Sequence, residues 1–327
     1  MKATIAGYSK EGNWYKGNIH CHTTDSDGML TPDEVVRLYK DAGYQFLAIS
    51  DHNIFSDYRS RFDCEDFIIL PAMEASAVLY RDENKKALLK VHHIHGILGN
   101  KQMQKEAEKG LFTHLQRYPE WEYFGNWDGA EVAQKLQDEL AARGCLTIYN
   151  HPVWSRVRED EFIHTKGLTA LEIYNYGTVN ESATGYDALR WDVMLQNGSR
   201  IYATASDDNH NREVEDSLGG YIVVKAEELS HEAMIQAILT GNYYSSSGPA
   251  IHDWGIKDGV AYVKCSPVSR VNFMAGNHVN AGLSVLSETG EDELTYAEFP
   301  LRGDEAYVRV ECVDQYGKTA WSNPIFL

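Results

Sequence analysis

Histidine and carboxylate side chains recur along this chain in short motifs whose spacing suits the binding of metal ions. The first motif is His20-Cys21-His22. In an extended segment, residues two apart point to the same side, so both imidazoles can reach one ion. Cys21 should then point the other way, into the protein wall, where we expect a packing role. Asp27 follows in a Ser-Asp-Gly turn and adds a carboxylate.

Six further candidate donors follow or lie close to short apolar runs that are typical of strands. They are His52, Glu74, His93, His151, Asp208 and His210. Imidazole combined with carboxylate suits Zn, Mn or Fe rather than Ca or Mg. Together the donors exceed the needs of one ion, which predicts two or three ions bridged by Glu74. His92 and His95 remain register alternatives to His93, because the segment His-His-Ile-His carries three imidazoles.

Three helix–glycine–strand units predict how these donors are positioned. In the first, the segment 31–34 (Thr-Pro-Asp-Glu) forms a capping box that opens a helix, Gly43 ends it, and the strand 46–49 follows. Residues 128–149 and 186–205 repeat this order. Repeated αβ units predict a parallel sheet covered by helices. Because at least five strand ends deliver polar residues, we expect closure into a barrel rather than an open doubly wound sheet.

Two other regions have a different character. Residues 81–128 interrupt the rhythm with a charged turn and an aromatic cluster from Tyr118 to Trp127, which predicts either a packed excursion outside the barrel or a lid over the site. After Tyr244, alternating apolar positions separated by glycine turns predict a small all-β, sandwich-like domain. We therefore expect a metal-binding barrel at 1–244 and a β appendage at 245–327.

The charge balance restricts the expected partners. The 327 residues include 48 Asp and Glu but only 30 Lys and Arg, a formal net charge of −18. Because nucleic-acid polymers and anionic membranes attract positive surfaces, we expect neither as a partner. A small anionic substrate is still attracted where metal ions reverse the local field. The segment from Met1 to Trp14 lacks the apolar run of a signal peptide, and five scattered cysteines indicate reduced thiols, so we expect a cytoplasmic location.

The order of these motifs resembles the polymerase-and-histidinol-phosphatase (PHP) family of metal-dependent phosphoesterases. The matching motifs, between residues 20 and 210, are His-x-His, Ser-Asp-Gly, Ser-Asp-His, Glu, His, His-Pro and Asp-x-His. A looser resemblance links the region after residue 243, with its Tyr-Ser-Ser-Ser-Gly-Pro segment, to the β appendage of a PHP subgroup related to carbaryl hydrolases. The first resemblance implies a distorted (β/α)7 TIM-like barrel with two or three divalent ions (Zn, Mn or Fe) at its C-terminal mouth.

By matched position, the resemblance also implies a set of metal ligands. They are His20, His22, Asp27, His52, Glu74, His93, His151, Asp208 and His210. One motif departs from the family pattern, which ends in Ser-Asp-Ala-His, whereas this chain has Ser-Asp-Asp-Asn-His. The Asp-x-His spacing selects Asp208 and the preceding serine selects Asp207, and we favour Asp208.

The resulting prediction is a metal-dependent hydrolase of a small phosphate monoester or diester, with a metal-bridging hydroxide as nucleophile. His52 or His210, if not fully committed as a ligand, would protonate the leaving oxygen, and Asp51 would orient a ligand imidazole. The candidate substrate-binding residues are Asn53, Arg156, Arg158, Asn175 and Arg212. A turn-forming asparagine and solvated arginines are the alternatives for these positions.

Two other functions stay open at this point. The same hydroxide and ions would also serve a carbamate, ester or amide, because a carbonyl group is polarised in the same way. The chain could instead be a binding module that senses a ligand or a metal without turnover. The sequence does not predict the oligomeric state.

Overall fold

The computed structural model describes residues 4–213 and 215–327. The first three residues of the expected domain 1–244, and Val214 within it, lie outside this described part. The helices in the described residues are α1 (Pro32–Asp41), α2 (Arg59–Phe62), α3 (Lys101–Lys105), α4 (Gly129–Ala141), α5 (Tyr176–Ser182), α6 (Ala188–Gln196) and α7 (His231–Leu239), with a 3-10 turn at Glu159–Glu161. None of these helices has the length and apolar character needed to cross a membrane.

Strands dominate the rest of the described chain. The first group is β1 (Thr4–Ala6), β2 (Asn13–Asn18), β3 (Phe46–Ile49), β4 (Ile54–Phe55), β5 (Ile68–Tyr80), β6 (Leu88–Leu98), β7 (Gln116–Arg117), β8 (Trp121–Phe124), β9 (Cys145–Tyr149), β10 (Ala170–Asn175) and β11 (Tyr202–Ser206). The second group is β12 (Tyr221–Ala226), β13 (Tyr243–Ser246), β14 (Ile251–Lys257), β15 (Val260–Val268), β16 (Arg270–Ala275), β17 (Gly282–Leu286), β18 (Leu294–Pro300), β19 (Tyr307–Val313), β20 (Thr319–Ser322) and β21 (Ile325–Phe326).

Local sequence signals explain where α1 begins and ends. The Thr31 side chain accepts from the Glu34 backbone N–H at 3.3 Å, and the Glu34 carboxylate accepts from the Thr31 backbone N–H at 2.9 Å. At the other end, Gly43 has φ +80°, a left-handed conformation that suits glycine. The helix buries Val35 and Tyr39 against the sheet side, and the chain then enters β3.

The large sheet is mixed rather than parallel throughout. Counted from the edge strand β11, the strand order begins β11-β10-β9-β6-β5-β3-β2-β12-β13. The neighbours β2, β3 and β5 are parallel, as are β9, β10 and β11, but β6 is antiparallel to both β5 and β9. The repeated αβ units therefore predicted part of the sheet correctly. The departures are the β5–β6 hairpin and the strand β12, which is antiparallel to both β2 and β13.

The sheet curves so that its edge strand β11 approaches the segment that follows β2. Within the described residues, β11 pairs with β10 as its neighbouring strand in the sheet. Beyond the two strands, Cys21 and Asn209 form a single parallel bridge, and the Asp208 N–H donates to the His20 carbonyl at 3.0 Å. The structure is thus a mixed α/β fold with converging strand ends, and the seven-stranded barrel stays a prediction.

Residues 81–128 differ from the expected excursion, because β6 lies within this range and belongs to the large sheet. Tyr118 is buried, and Trp121, Tyr123 and Trp127 are half-buried against the main apolar core. The long β5 and β6 strands are largely buried and pair with each other. The charged segment between them is therefore a hairpin turn.

Several C-terminal strands continue the large sheet, in the order β13-β20-β19-β16-β17. Strand β13 pairs with β12 on one side and β20 on the other, so the expected boundary at 244/245 falls inside a strand. A second sheet, in the order β1-β14-β15-β18, packs against the β16–β19 part through one apolar core. Strand β1, from the opposite end of the chain, completes that second sheet by pairing with β14.

Candidate metal centre

Glu74, on β5, lies at the centre of five imidazoles and is fully buried. Its carboxylate oxygens lie 3.3 Å from His20 Nε2, 3.5 Å from His22 Nε2, 3.0 Å from His52 Nδ1, 3.2 Å from His93 Nδ1 and 3.2 Å from His151 Nε2. The five imidazoles come from four separate segments of the chain. The arrangement places one carboxylate where it can bridge more than one cation.

A second carboxylate, that of Asp208, faces the same cluster from the segment after β11. Its Oδ1 atom lies 3.0 Å from His20 Nε2 and 3.1 Å from His22 Nε2. The backbone of Asp208 has φ +57°, a left-handed conformation that aspartate tolerates better than most residues. This turn aims the Asp208 side chain inward, and together with Glu74 it completes a buried group of two imidazoles and two carboxylates.

An outer group of donors surrounds Asp27, which is exposed on its solvent side. The Asp27 carboxylate lies 3.7 Å from His22 Nδ1, 3.6 Å from His52 Nε2 and 3.5 Å from His210 Nε2. The His22 ring stacks on the His210 ring with centroids 4.2 Å apart. His22 and His52 thus each offer one nitrogen to this outer group and the other to the Glu74 side.

The strand register places the three neighbouring histidines of β6 differently. His93 lies opposite Ser76 in the β5–β6 ladder, and its ring faces Glu74. His92 points to the other face, where its ring stacks on Trp127 with centroids 4.4 Å apart. His95 shares the face of His93 but lies deeper, with its ring 4.2 Å from that of His20.

Two further buried residues hold the cluster in place. Glu172 on β10 accepts from His20 Nδ1 at 2.8 Å and from the His151 backbone N–H at 3.1 Å. Asn150 donates from Nδ2 to Glu74 at 2.7 Å. A carboxylate that binds the second nitrogen of an imidazole fixes its orientation for a metal. The only sequence signal for Glu172 was a lone acid inside an otherwise apolar strand.

The donor set fits divalent cations by its unsatisfied polar atoms. His22 Nδ1, His52 Nδ1, Glu74 Oε2 and Asp208 Oδ1 are buried and have no hydrogen-bond partner with acceptable geometry, despite their short distances to one another. Such atoms are costly to bury unless something else satisfies them. Lone pairs that converge without hydrogen-bond geometry are what cations require, so the residues present fit a metal cluster.

The electrostatics of the cluster agree with this fit. Burial, aided by the neighbouring His210 and His52, lowers the pKa of His22 to about 3, which keeps its ring neutral and its lone pairs available. For Glu74, burial alone would raise the pKa, but the imidazoles of His93 and His20 outweigh it and hold the pKa well below its ordinary value. Glu74 therefore stays a carboxylate.

Asp51 and Asn53 are placed differently from their expected roles. The Asp51 carboxylate accepts from the Thr23 backbone N–H at 2.8 Å and from the hydroxyls of Ser26 and Ser56 at 2.8 and 3.0 Å. It therefore braces the loop after His22 and contacts none of the imidazoles. The Asn53 amide oxygen accepts from the Ser76 N–H at 2.9 Å, which ties its turn to β5.

The remaining candidate substrate residues also lie away from a substrate position. Asn175 donates to both Glu172 and Asp208 at 2.9 Å, so it positions a candidate ligand. Arg158 is paired with Asp160, and Arg212 reaches Glu34 at 3.1 Å. Arg156 is exposed and is not among the residues that line the pocket described below. The arginines were predicted as phosphate clamps, but the local acids orient two of them elsewhere.

A pocket of about 450 Å³ opens directly over the cluster. The candidate ligands that line it are Asp27, His52, Glu74, His93, His151, Asp208 and His210. From the range 81–128, His93 is the residue that reaches this pocket, so the aromatic side chains between Tyr118 and Trp127 form packing against the core in this structure rather than a cover. Concave sites of this size suit a small ligand.

No protein-family model matches the chain, and no curated protein matches it. Solved structures do. One is a two-domain protein containing a predicted PHP-like metal-dependent phosphoesterase from Bacteroides vulgatus, with 11% identity over 99% of this chain and 98% of that chain, at a TM-score of 0.47. An amidohydrolase from Chromobacterium violaceum has 13% identity over 69% of this chain and 96% of that chain, at a TM-score of 0.42. The first description agrees with the resemblance stated from the motifs.

A third match corrects one expectation. Endonuclease Q, in complex with a 27-mer duplex substrate that has an abasic lesion at the active site, has 12% identity over 71% of this chain and 58% of that chain, at a TM-score of 0.42. That protein acts on a nucleic-acid polymer. The expectation that no nucleic-acid polymer is a partner, which was drawn from the net charge of −18, is therefore wrong as an exclusion.

Proposed function

We propose that this chain is a metal-dependent hydrolase that cleaves a phosphate ester at the Glu74 cluster. The proposal is carried by one observation: the carboxylate of Glu74 lies within 3.5 Å of five imidazole nitrogens, beneath an open pocket. Several of these buried atoms lack hydrogen-bond partners, which supports cation binding over a purely structural role. Imidazole and carboxylate together suit Zn, Mn or Fe.

The side chains divide into groups that would each hold an ion. One group is His20, His22, Glu74 and Asp208, a second is His52, Glu74 and His93, and a third is His22, Asp27, His52 and His210. When bound, divalent cations supply a water of lowered pKa and polarise a phosphoryl oxygen. Glu172 and Asn150 contribute by holding His20 and Glu74 in their orientations.

The reaction consumes water and releases an alcohol and phosphate. The leaving oxygen must gain a proton. If the outer group of His22, Asp27, His52 and His210 holds no ion, His52 and His210 are the imidazoles best placed to give that proton from the pocket side. Their side chains are 26% and 32% exposed, whereas the other imidazoles of the cluster are at most 8% exposed. A proton donor at the mouth can meet the leaving group without displacing the buried ligands.

The test is a panel of substrates offered to the protein loaded in turn with Mn, Zn and Fe(II). We expect phosphate-ester cleavage, measured with p-nitrophenyl phosphate and bis(p-nitrophenyl) phosphate. A p-nitrophenyl carbamate covers attack at a carbonyl, and a DNA duplex with an abasic site covers a polymeric phosphodiester. Turnover of the carbamate with no cleavage of any phosphoester under any metal loading would contradict the proposal.

A matched pair of variants distinguishes the loss of a cluster residue from a general loss of stability. Glu74→Gln should abolish turnover, because it removes charge from the centre of the donor set. Glu161→Gln changes another buried glutamate, which is bound to Lys90 and Trp127 away from the cluster. We expect Glu161→Gln to keep its turnover in folded protein. Equal losses in the two variants would overturn the assignment of Glu74.

A further inference from the structure

The pocket over the metal centre has an unusual charge distribution for a site that takes an anion. No lysine or arginine lines it anywhere in residues 4–213 or 215–327. Apart from the histidines, its charged lining residues are all acids. The negative charge of a phosphate group must therefore be offset by the metal ions alone. The rest of the substrate meets a wall of acidic side chains.

Two arginines from segments next to the pocket lining are held elsewhere by specific contacts. Arg212 donates from Nη1 to Glu34 at 3.1 Å and from Nη2 to the Met29 carbonyl at 2.7 Å. Arg190 contacts Asp187 at 3.2 Å. These pairings turn the two guanidinium groups to acids and a carbonyl outside the lining, and Arg156, two residues after Trp154, is exposed and does not line the pocket.

The wall itself is built around the half-buried indole of Trp154. Its Nε1 donates to Glu181 Oε2 at 2.8 Å, and its ring lies 5.1 Å from the His151 ring at an angle of 82°. Glu215 is exposed on the same wall, and its backbone carbonyl accepts from Asn180 Nδ2 at 2.6 Å. An aromatic face beside carboxylates is the arrangement that attracts an organic cation.

An acidic wall by itself would not indicate a ligand, but this pocket also holds buried unpartnered atoms. Glu74 Oε2 and Asp208 Oδ1 are buried, lack hydrogen-bond partners and belong to residues that line the same space. One end of the pocket is thus built to bind through metal ions. The other end, about the indole of Trp154, presents carboxylates to whatever extends from the bound group.

We propose that the alcohol portion of the substrate carries a cationic amine or quaternary ammonium group, which lies against Trp154 between Glu181 and Glu215. This inference rests on the proposed phosphoesterase function and adds the class of leaving group. The substrate would be a zwitterion whose phosphate faces the metal side and whose ammonium group faces the wall. Such a molecule matches both ends of a pocket of about 450 Å³.

The test compares two esters of nearly equal shape and different charge. Phosphocholine has a quaternary ammonium group, whereas 3,3-dimethylbutyl phosphate has a neutral carbon in its place. With metal-loaded protein we expect kcat/KM to favour phosphocholine by about tenfold. Trp154→Leu and Glu215→Gln should each bring this ratio towards one. Glu213→Gln, an exposed acid in the same segment that does not line the pocket, should keep the ratio.

A binding measurement supplies a readout that does not depend on turnover. By calorimetry, choline should bind the metal-loaded protein more tightly than 3,3-dimethylbutanol, and Glu215→Gln should remove the difference. If both esters are hydrolysed at equal kcat/KM and choline binds no better than the neutral alcohol, the inference fails and the phosphoesterase proposal stands. If neither ester releases phosphate while choline still binds selectively, the phosphoesterase proposal fails for this substrate class and the cation-binding wall is supported.

Discussion

Asp207 and Asp208 are adjacent in the chain, but their carboxylates serve opposite sides of the same turn. Asp208 faces His20 and His22 at 3.0 and 3.1 Å. Asp207 accepts from the backbone N–H groups of Leu218, Gly219 and Gly220 at 2.7–2.9 Å, and from the Tyr39 hydroxyl. One acid therefore belongs to the metal donors and the other anchors the segment that leads into β12.

This division predicts different consequences for two neighbouring substitutions. Asp208→Asn should weaken metal binding by at least about a hundredfold, because it removes a charged ligand from the centre. Asp207→Asn should keep the metal affinity but lower the free energy of unfolding by about 1–3 kcal/mol, because it disturbs buried hydrogen bonds. Metal titration and urea unfolding of both variants check this. A reversed pattern would move the ligand assignment to Asp207.

Glu172 should affect the metal affinity although it does not contact the substrate. It binds His20 Nδ1 at 2.8 Å, and its removal would free that ring to rotate. We expect Glu172→Gln to lower metal affinity by about 10–100-fold, measured by competition with a chromophoric chelator. The matched control is Glu161→Gln, which should leave the affinity unchanged. An unaltered affinity in Glu172→Gln would show that the imidazole is held by packing alone.

A buried ion pair should contribute strongly to the attachment of the C-terminal strands. Arg309 on β19 is 1% exposed and binds Asp192 on α6 through Nε at 3.1 Å and Nη2 at 2.8 Å. Arg309→Met leaves Asp192 buried without its partner, which should cost about 3–5 kcal/mol in unfolding free energy. Because Arg309 also binds Glu311 through Nη1 at 2.7 Å, the control removes both acids. The triple variant Arg309→Met/Asp192→Leu/Glu311→Gln should recover most of that loss. If the triple variant is no more stable than the single one, packing rather than the unpaired charge explains the cost.

Because of Asp187, the free energy of unfolding should fall as the pH rises. Burial raises its pKa to about 7, against the opposing charge of Arg190. Between pH 4 and pH 7 the native state then holds a proton that the unfolded state has lost, so the unfolding free energy falls as the pH rises. The Asp187→Asn variant has no titratable group at this position. We therefore expect its free energy of unfolding, relative to that of the natural protein, to increase from pH 5 to pH 8. Urea unfolding at both values tests this, and a constant difference would contradict it.

The elements with local sequence signals were predicted well. The capping box at Thr31 and the left-handed Gly43 predicted a helix that the structure has at Pro32–Asp41. The strand expected at 145–149 is β9. These signals are local because caps and short apolar runs depend on neighbouring residues. Pairings between distant segments are not local, and the antiparallel β5–β6 ladder and the addition of β1 to the second sheet were not anticipated.

The candidate site shows the same limit. Strand alternation predicts that His93 and His95 share a face, but not which of them is nearer to Glu74, because that depends on how far the strand extends. Arg158 and Arg212 were predicted to bind substrate, but the sequence did not indicate that nearby acids bind their guanidinium groups in the structure. Glu172 could have been noted as a single acid in a buried strand.

The metal content of the chain tests the central claim most directly. After reconstitution with Zn, Mn or Fe(II) and removal of excess ions, elemental analysis should give two or three ions per chain. His93→Gln should reduce that number, whereas His92→Gln, which changes the adjacent residue on the opposite face, should keep it. A chain that retains no stoichiometric metal under any loading, or that loses metal equally in both variants, would contradict the account.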